Sequence, residues 1–214
     1  TRRSSDLLRT GRRDGNGGLS AQTVVHHHRV IFAALKHATR KRFLTRNVAS
    51  EADAPKPEKK DIQALDESET AKVIVAAEGS FWHLPILLAA TTGLRRGEVL
   101  GLRWCDVDLD RARIHVAQIV QQVGHKTIFK DPKTDSSRRA VALPSLAVDA
   151  LRRHRVTQAE QRLGLGLPRE DRSLVFADAL GGVLKPSNLT KAFEHIRAKA
   201  GVPRVSLHAL RHSH

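Results

Sequence analysis

The run from Glu51 to Asp61, EADAPKPEKKD, constrains this chain more than any other stretch. It is charged, holds two prolines and offers almost nothing apolar, which is linker composition on an extended path. The segments on either side must then each bury their own apolar surface. A surface loop inside a single domain is the alternative. Read as a linker, it gives a partial helical domain over 1–50, a linker over 51–61 and a second domain over 62–214. A length of 214 residues suits one ordinary domain plus part of another.

On the amino side, residues 1–18 are polar, and Arg12, Arg13, Asp14, Gly15, Asn16, Gly17 and Gly18 form a loop-like cluster. Ser20 can cap a helix in which Val24, Val25, His28, Ile31, Phe32, Leu35 and Ala38 recur at helical spacing. Its later part, to about Arg46, is basic: Lys36, Arg40, Lys41, Arg42 and Arg46. One helix cannot bury its own stripe, so it reads as the remnant of a small helical domain whose earlier helices are missing. The run His26-His27-His28 reads as helix surface, because adjacent helical residues point in different directions.

Beyond the linker, Asp66 and Glu69 form a capping-box pattern ahead of Ala71, Val73, Ile74 and Ala77. A second helix is expected over Trp82–Thr91, broken by Gly93, and a third from Arg95 to about Leu102. Alternating Ile114, Val116, Ile128, Val141 and Leu143 predict a small antiparallel sheet between Ala112 and Leu143. Helices return over Ser145–Leu163, over Pro186–Ala200 with Ser187 as a candidate cap, and from Ser206 onward. The fold class is α+β: mainly α with a small antiparallel β-sheet.

Charge narrows the partner. Lys and Arg number 37 against 22 Asp and Glu, a net +15. Such an excess favours a polyanion, because a basic surface displaces counterions from phosphates. Phe81–Leu94 is apolar but too short to span a bilayer, and two arginines follow it directly. Nothing at the amino end of these residues resembles a basic-then-apolar signal peptide. A single cysteine, Cys105, agrees with a reducing compartment, here the cytoplasm. Methionine and tyrosine are both absent from the 214 residues.

Three constellations carry chemistry. In Thr92-Gly93-Leu94-Arg95-Arg96-Gly97-Glu98, a glycine turn places Arg95 at a helix start, where guanidinium and free amides both favour an anion. Glu98 lies three residues on, within reach of an arginine. A solvated arginine is the plain alternative. In Lys130-Asp131-Pro132-Lys133-Thr134-Asp135-Ser136-Ser137-Arg138-Arg139, turn residues between strand-like segments suggest a hairpin tip projecting Lys133, although solvated hairpins also favour lysine. In Ser206-Leu207-His208-Ala209-Leu210-Arg211-His212, His208 and Arg211 share a helical face, and together suit a phosphodiester gaining charge.

The order T-G-L-R-x-x-E, K-T-x-x-S-x-R and H-x-L-R-H resembles the tyrosine recombinase, or phage integrase, family, and nearly the whole chain shares the likeness. Leu102, Trp104, Asp106 and Asp108 agree with it, and Gly18 to Arg46 resembles the end of the family's core-binding domain. The resemblance implies a catalytic domain over 62–214, incomplete at its end, behind a partial core-binding domain. It implies that Arg95 and Arg211 clamp the scissile phosphate, Lys133 protonates the leaving 5′ oxygen, His208 assists proton transfer, and Glu98 supports the arginines without touching DNA. Lys36, Arg40, Lys41, Arg42 and Arg138 are the expected DNA contacts. No metal and no cofactor is implied, since two arginines and a lysine supply the positive charge.

The chain departs from the family at one point. The family's pattern continues to a nucleophilic tyrosine, and these residues hold none, so the expectation is a piece that binds duplex DNA without forming the phosphotyrosine intermediate. Family members assemble as tetramers on DNA; a monomer is expected here. The alternatives are a non-enzymatic DNA-binding protein and a type IB topoisomerase-like enzyme. A metal site built from His208, His212 and His214 lacks any acidic or cysteine partner.

Overall fold

The structure, a computed structural model, describes residues 18–52, 64–124, 126–132, 138–167 and 172–211, and of Arg211 the backbone alone. The linker beyond Ala52, Lys133 with its neighbours to Ser137, and the histidines at 212 and 214 lie outside the described residues, as does most of the polar start. The chain divides into two compact units, Thr1–Asp61 and Ile62–His214.

In the first unit, helix α1 spans Ala21–Arg40, and the Ser20 side chain accepts from the Thr23 amide. The helix stops well before Arg46. The Phe43 N–H donates to the Ala38 carbonyl and the Arg42 N–H to the Thr39 carbonyl, closing a Schellman motif with Arg42 at φ 62°. Lys36 and Arg40 therefore stand exposed on the last turns, whereas Lys41 and Arg42 belong to the cap. Asn47 donates to the Phe32 carbonyl and caps a 3-10 turn, Val48–Glu51, that folds back along α1.

The second unit is built around one apolar helix. Helix α2, Glu67–Ala77, opens with the expected capping box: the Glu69 amide donates to Asp66 Oδ1 at 2.7 Å, and the Asp66 amide to Glu69 at 3.0 Å. Helix α3, His83–Thr92, buries every residue from Leu84 to Ala90. A helix apolar all round belongs in a core, and α3 packs against α2, the short helix α4 (Arg96–Leu100) and α5 (Ser145–Gly164). Its chain leaves at Gly93, which takes a left-handed φ of 62°. Helix α4 is shorter than expected because residues past Leu100 turn extended: the Val175 amide donates to the Leu102 carbonyl and the Trp104 amide to the Ser173 carbonyl.

The strands form two sheets where one was expected. β1 (Val107–Asp108), β2 (Arg113–His115) and β5 (Ala140–Ala142) make an antiparallel sheet in the order β1-β2-β5. β3 (Ile119–Val123) and β4 (Lys126–Lys130) form a separate hairpin, with Val123 opposite Lys126. β4 pairs with β3 while β5 pairs with β2, so the described strands on either side of residues 133–137 belong to different sheets; the expected hairpin tip at Lys133 itself lies outside the described residues.

Helix α6, Pro186–Lys199, starts on Lys185 as cap with proline in the first turn, so Ser187 lies inside the helix. Near the end, the described part of the expected helix is a single 3-10 turn, Leu207–Arg211, packed on α3 and α6.

Candidate functional site

Arg95 occupies the cap position of α4 with extended backbone, φ −71° and ψ 152°. Leu94, 3% exposed, anchors the preceding residue in the core, and Gly93 supplies the sharp exit from α3. The Arg95 side chain is 52% exposed. Below it Glu98 is 97% enclosed, its side chain showing 3% of its surface. Glu98 Oε2 accepts the Arg95 amide at 2.8 Å and Oε1 accepts Arg95 Nη1 at 2.9 Å. The same carboxylate accepts Arg139 Nη1 at 3.1 Å and Nη2 at 2.8 Å. Burial pushes the Glu98 carboxyl up, but the bonds from Arg139 and Arg95 outweigh it and hold it below the usual range.

Arg139 is the residue that sequence reasoning missed in favour of its neighbour. Arg138 is exposed, whereas Arg139 is partly buried, on the same side as Val141 and Leu143. The period of two running back from the buried Leu143 marks Arg139 as the inward arginine. It is also the final arginine of the K-T-x-x-S-x-R pattern. Both arginines line an open groove of about 330 Å³ with His115 and Val116.

The hairpin is pressed against α4. A Cβ on Gly97 would stand 2.5 Å from the Val120 carbonyl oxygen, so only glycine allows β3 to cross the helix at that depth. Gln118 then donates to the Gly101 carbonyl at 2.8 Å. Arg96, beside Arg95, faces elsewhere and donates to the Thr190 hydroxyl on α6.

In the 3-10 turn, Leu207, Ala209 and Leu210 are buried and His208 is exposed. Three residues per turn place backbone positions 208 and 211 one above the other. The structure thus brings Arg95, Glu98 and Arg139 into one ion-pair cluster, and seats the His208 turn on α3, the helix that leads to Arg95.

The residues after the first motif are structural. Arg103 grips Asp106 through two bonds of 2.6 and 2.9 Å, Trp104 Nε1 donates to Gln158 at 2.6 Å, and Asp108 accepts the amides of Asp110 and Arg111. Among the described residues no three metal-ligating side chains gather, and no helix is long and apolar enough to cross a membrane.

The chain belongs to the phage integrase family, the tyrosine recombinases: the family's profile matches residues 62–214. A XerC-like tyrosine recombinase of Caldanaerobacter subterraneus is 36% identical over 173 residues, covering 74% of this chain and 44% of the relative. An integrase of Streptomyces ambofaciens is 31% identical over 212 residues, covering 91% of this chain and 52% of that one. The chain spans about half the length of these relatives. Among solved structures, the Tn1549 transposon integrase in complex with transposon right end DNA matches with a TM-score of 0.75 at 19% identity, over 92% of this chain and 66% of that one. A lambda integrase dimer bound to a COC′ core site matches with a TM-score of 0.54 at 19% identity, over 87% and 62%. These two likenesses establish the α+β fold.

Proposed function

We propose that these residues are the phosphate-binding part of a site-specific DNA recombinase. The observation that carries the reading is Arg95: an outward guanidinium at a helix start, held from below by the buried Glu98. In this reading Arg95 and Arg211 clamp one backbone phosphate, His208 assists proton transfer, and Lys133 protonates the leaving 5′ oxygen when a tyrosine hydroxyl attacks phosphorus. Lys36, Arg40, Lys41, Arg42 and Arg138 add phosphate contacts along the duplex. Residues 1–50 contribute a partial core-binding domain and 62–214 the catalytic one. The 214 residues contain no tyrosine, so on their own they bind without forming a covalent adduct. The net charge of +15 and the DNA-bound state of the structural neighbours support a duplex partner.

The test is a binding titration on duplex DNA across salt. Affinity is expected to fall steeply, by about 10³-fold or more between 50 and 200 mM salt for six or more phosphate contacts. Arg95→Met is expected to weaken binding more than Arg96→Met, because Glu98 fixes Arg95 at the helix start whereas Arg96 is drawn to Thr190 on α6. Affinity indifferent to salt, or equal losses at the two arginines, would overturn the assignment.

A further inference from the structure

We propose that Arg139 is a positioning residue for this clamp, acting on Arg95 through the buried Glu98 carboxylate. The inference rests on the reading of Arg95 as a phosphate ligand and adds the residue that holds it in place.

A carboxylate offers about four acceptor positions. Glu98 fills one pair with the amide and guanidinium of Arg95, and the other with the two Nη groups of Arg139. The two arginines thus share both oxygens, and neither can move without freeing a lone pair on each. Arg139 is fixed from outside the cluster as well: its carbonyl accepts the Val116 amide at 2.9 Å, one step beyond the β2–β5 pairing. Its side chain is 27% exposed against 52% for Arg95, and both its Nη groups donate to Glu98, so its donors serve the carboxylate. Removing it leaves a buried carboxylate half-satisfied. The carboxylate then rotates, takes up a proton or draws Arg95 inward, and each outcome loosens the outward pose.

A double-mutant cycle on the 214-residue chain, read as affinity for a fixed DNA duplex at one salt concentration, tests this. Arg139→Met and Arg95→Met are each expected to lose about tenfold, the size of one charge-assisted contact. The double variant is expected to bind no more weakly than Arg95→Met alone, because Arg139 acts through Arg95. Arg139→Lys, which retains the charge beside Glu98, is expected to recover part of the Arg139→Met loss. Should Arg139→Met fail to fold, Arg139→Lys takes its place in the cycle. Losses that add in the double variant would overturn the proposal, since Arg139 would then act on DNA directly or on the scaffold at large. If Arg95→Met alone binds like the parent chain, the phosphate-ligand reading beneath the proposal falls with it.

Discussion

Glu98 is a single carboxylate receiving four N–H donors in a site almost closed to water, and its ionisation is tied to folding. Its folded pKa lies below the ordinary glutamate value of about 4.3. The stabilisation from its charge is therefore fully present above that value and is lost as pH falls through the lower folded value. Glu98→Gln is expected to cost about 2 kcal/mol at pH 7, by analogy with hydrogen bonds to charged groups. Urea unfolding should show the gap between parent and variant narrowing below pH 4. A gap that stays constant down to pH 3 would mean that the carboxylate is not held ionised by its arginines. The pairing of Glu98 with Arg95 was legible from their spacing of three residues. Its pairing with Arg139, 41 positions away, was not, because only the register of β2 with β5 brings that arginine back to α4.

Two elements depend on one backbone position each. Helix α4 meets β3 at Gly97, where a methyl group would press on the Val120 carbonyl. Gly97→Ala is expected to destabilise the chain by about 2 kcal/mol, the range of core overpacking, with a lowered melting temperature and weaker DNA binding as its readouts. At the end of α1, Arg42 closes the Schellman motif in a left-handed conformation that costs a side-chain-bearing residue about 1 kcal/mol. Arg42→Gly is therefore expected to steady the end of α1, seen as more helical signal on heating, while DNA affinity falls with the lost charge. An unchanged affinity would remove Arg42 from the DNA-contacting set. Capping signals were readable here: Ser20 and the Asp66–Glu69 box stand where expected. Alternation of apolar residues located strands at Ile114, Ile128 and Val141, but it left out β1, which precedes Ala112, and could not say which strand pairs with which.

The two units differ in what they can bury. The second has a continuous core running from Leu65 to Leu210, centred on α3. In the first, the described buried residues are Val24, Val25 and Ala49. Residues 62–214 are expected to fold alone with the main cooperative transition of the full chain, because an amphipathic helix contributes stability mainly through what it packs on. Circular dichroism melts of the two lengths would check this, and a second unit that fails to fold by itself would refute it.

Local signals in the chain located most of the helices, the Ser20 cap and the Asp66–Glu69 box, the basic character and three motifs whose order places it among tyrosine recombinases. Each of these depends on neighbours within a few residues or on bulk charge, so no distant contact was needed to read them. The division of the strands into two sheets, the seat of β3 on Gly97 and the capture of Glu98 by Arg139 came from packing alone. Such contacts join residues far apart in sequence, and their energies depend on depth and register that no local pattern encodes.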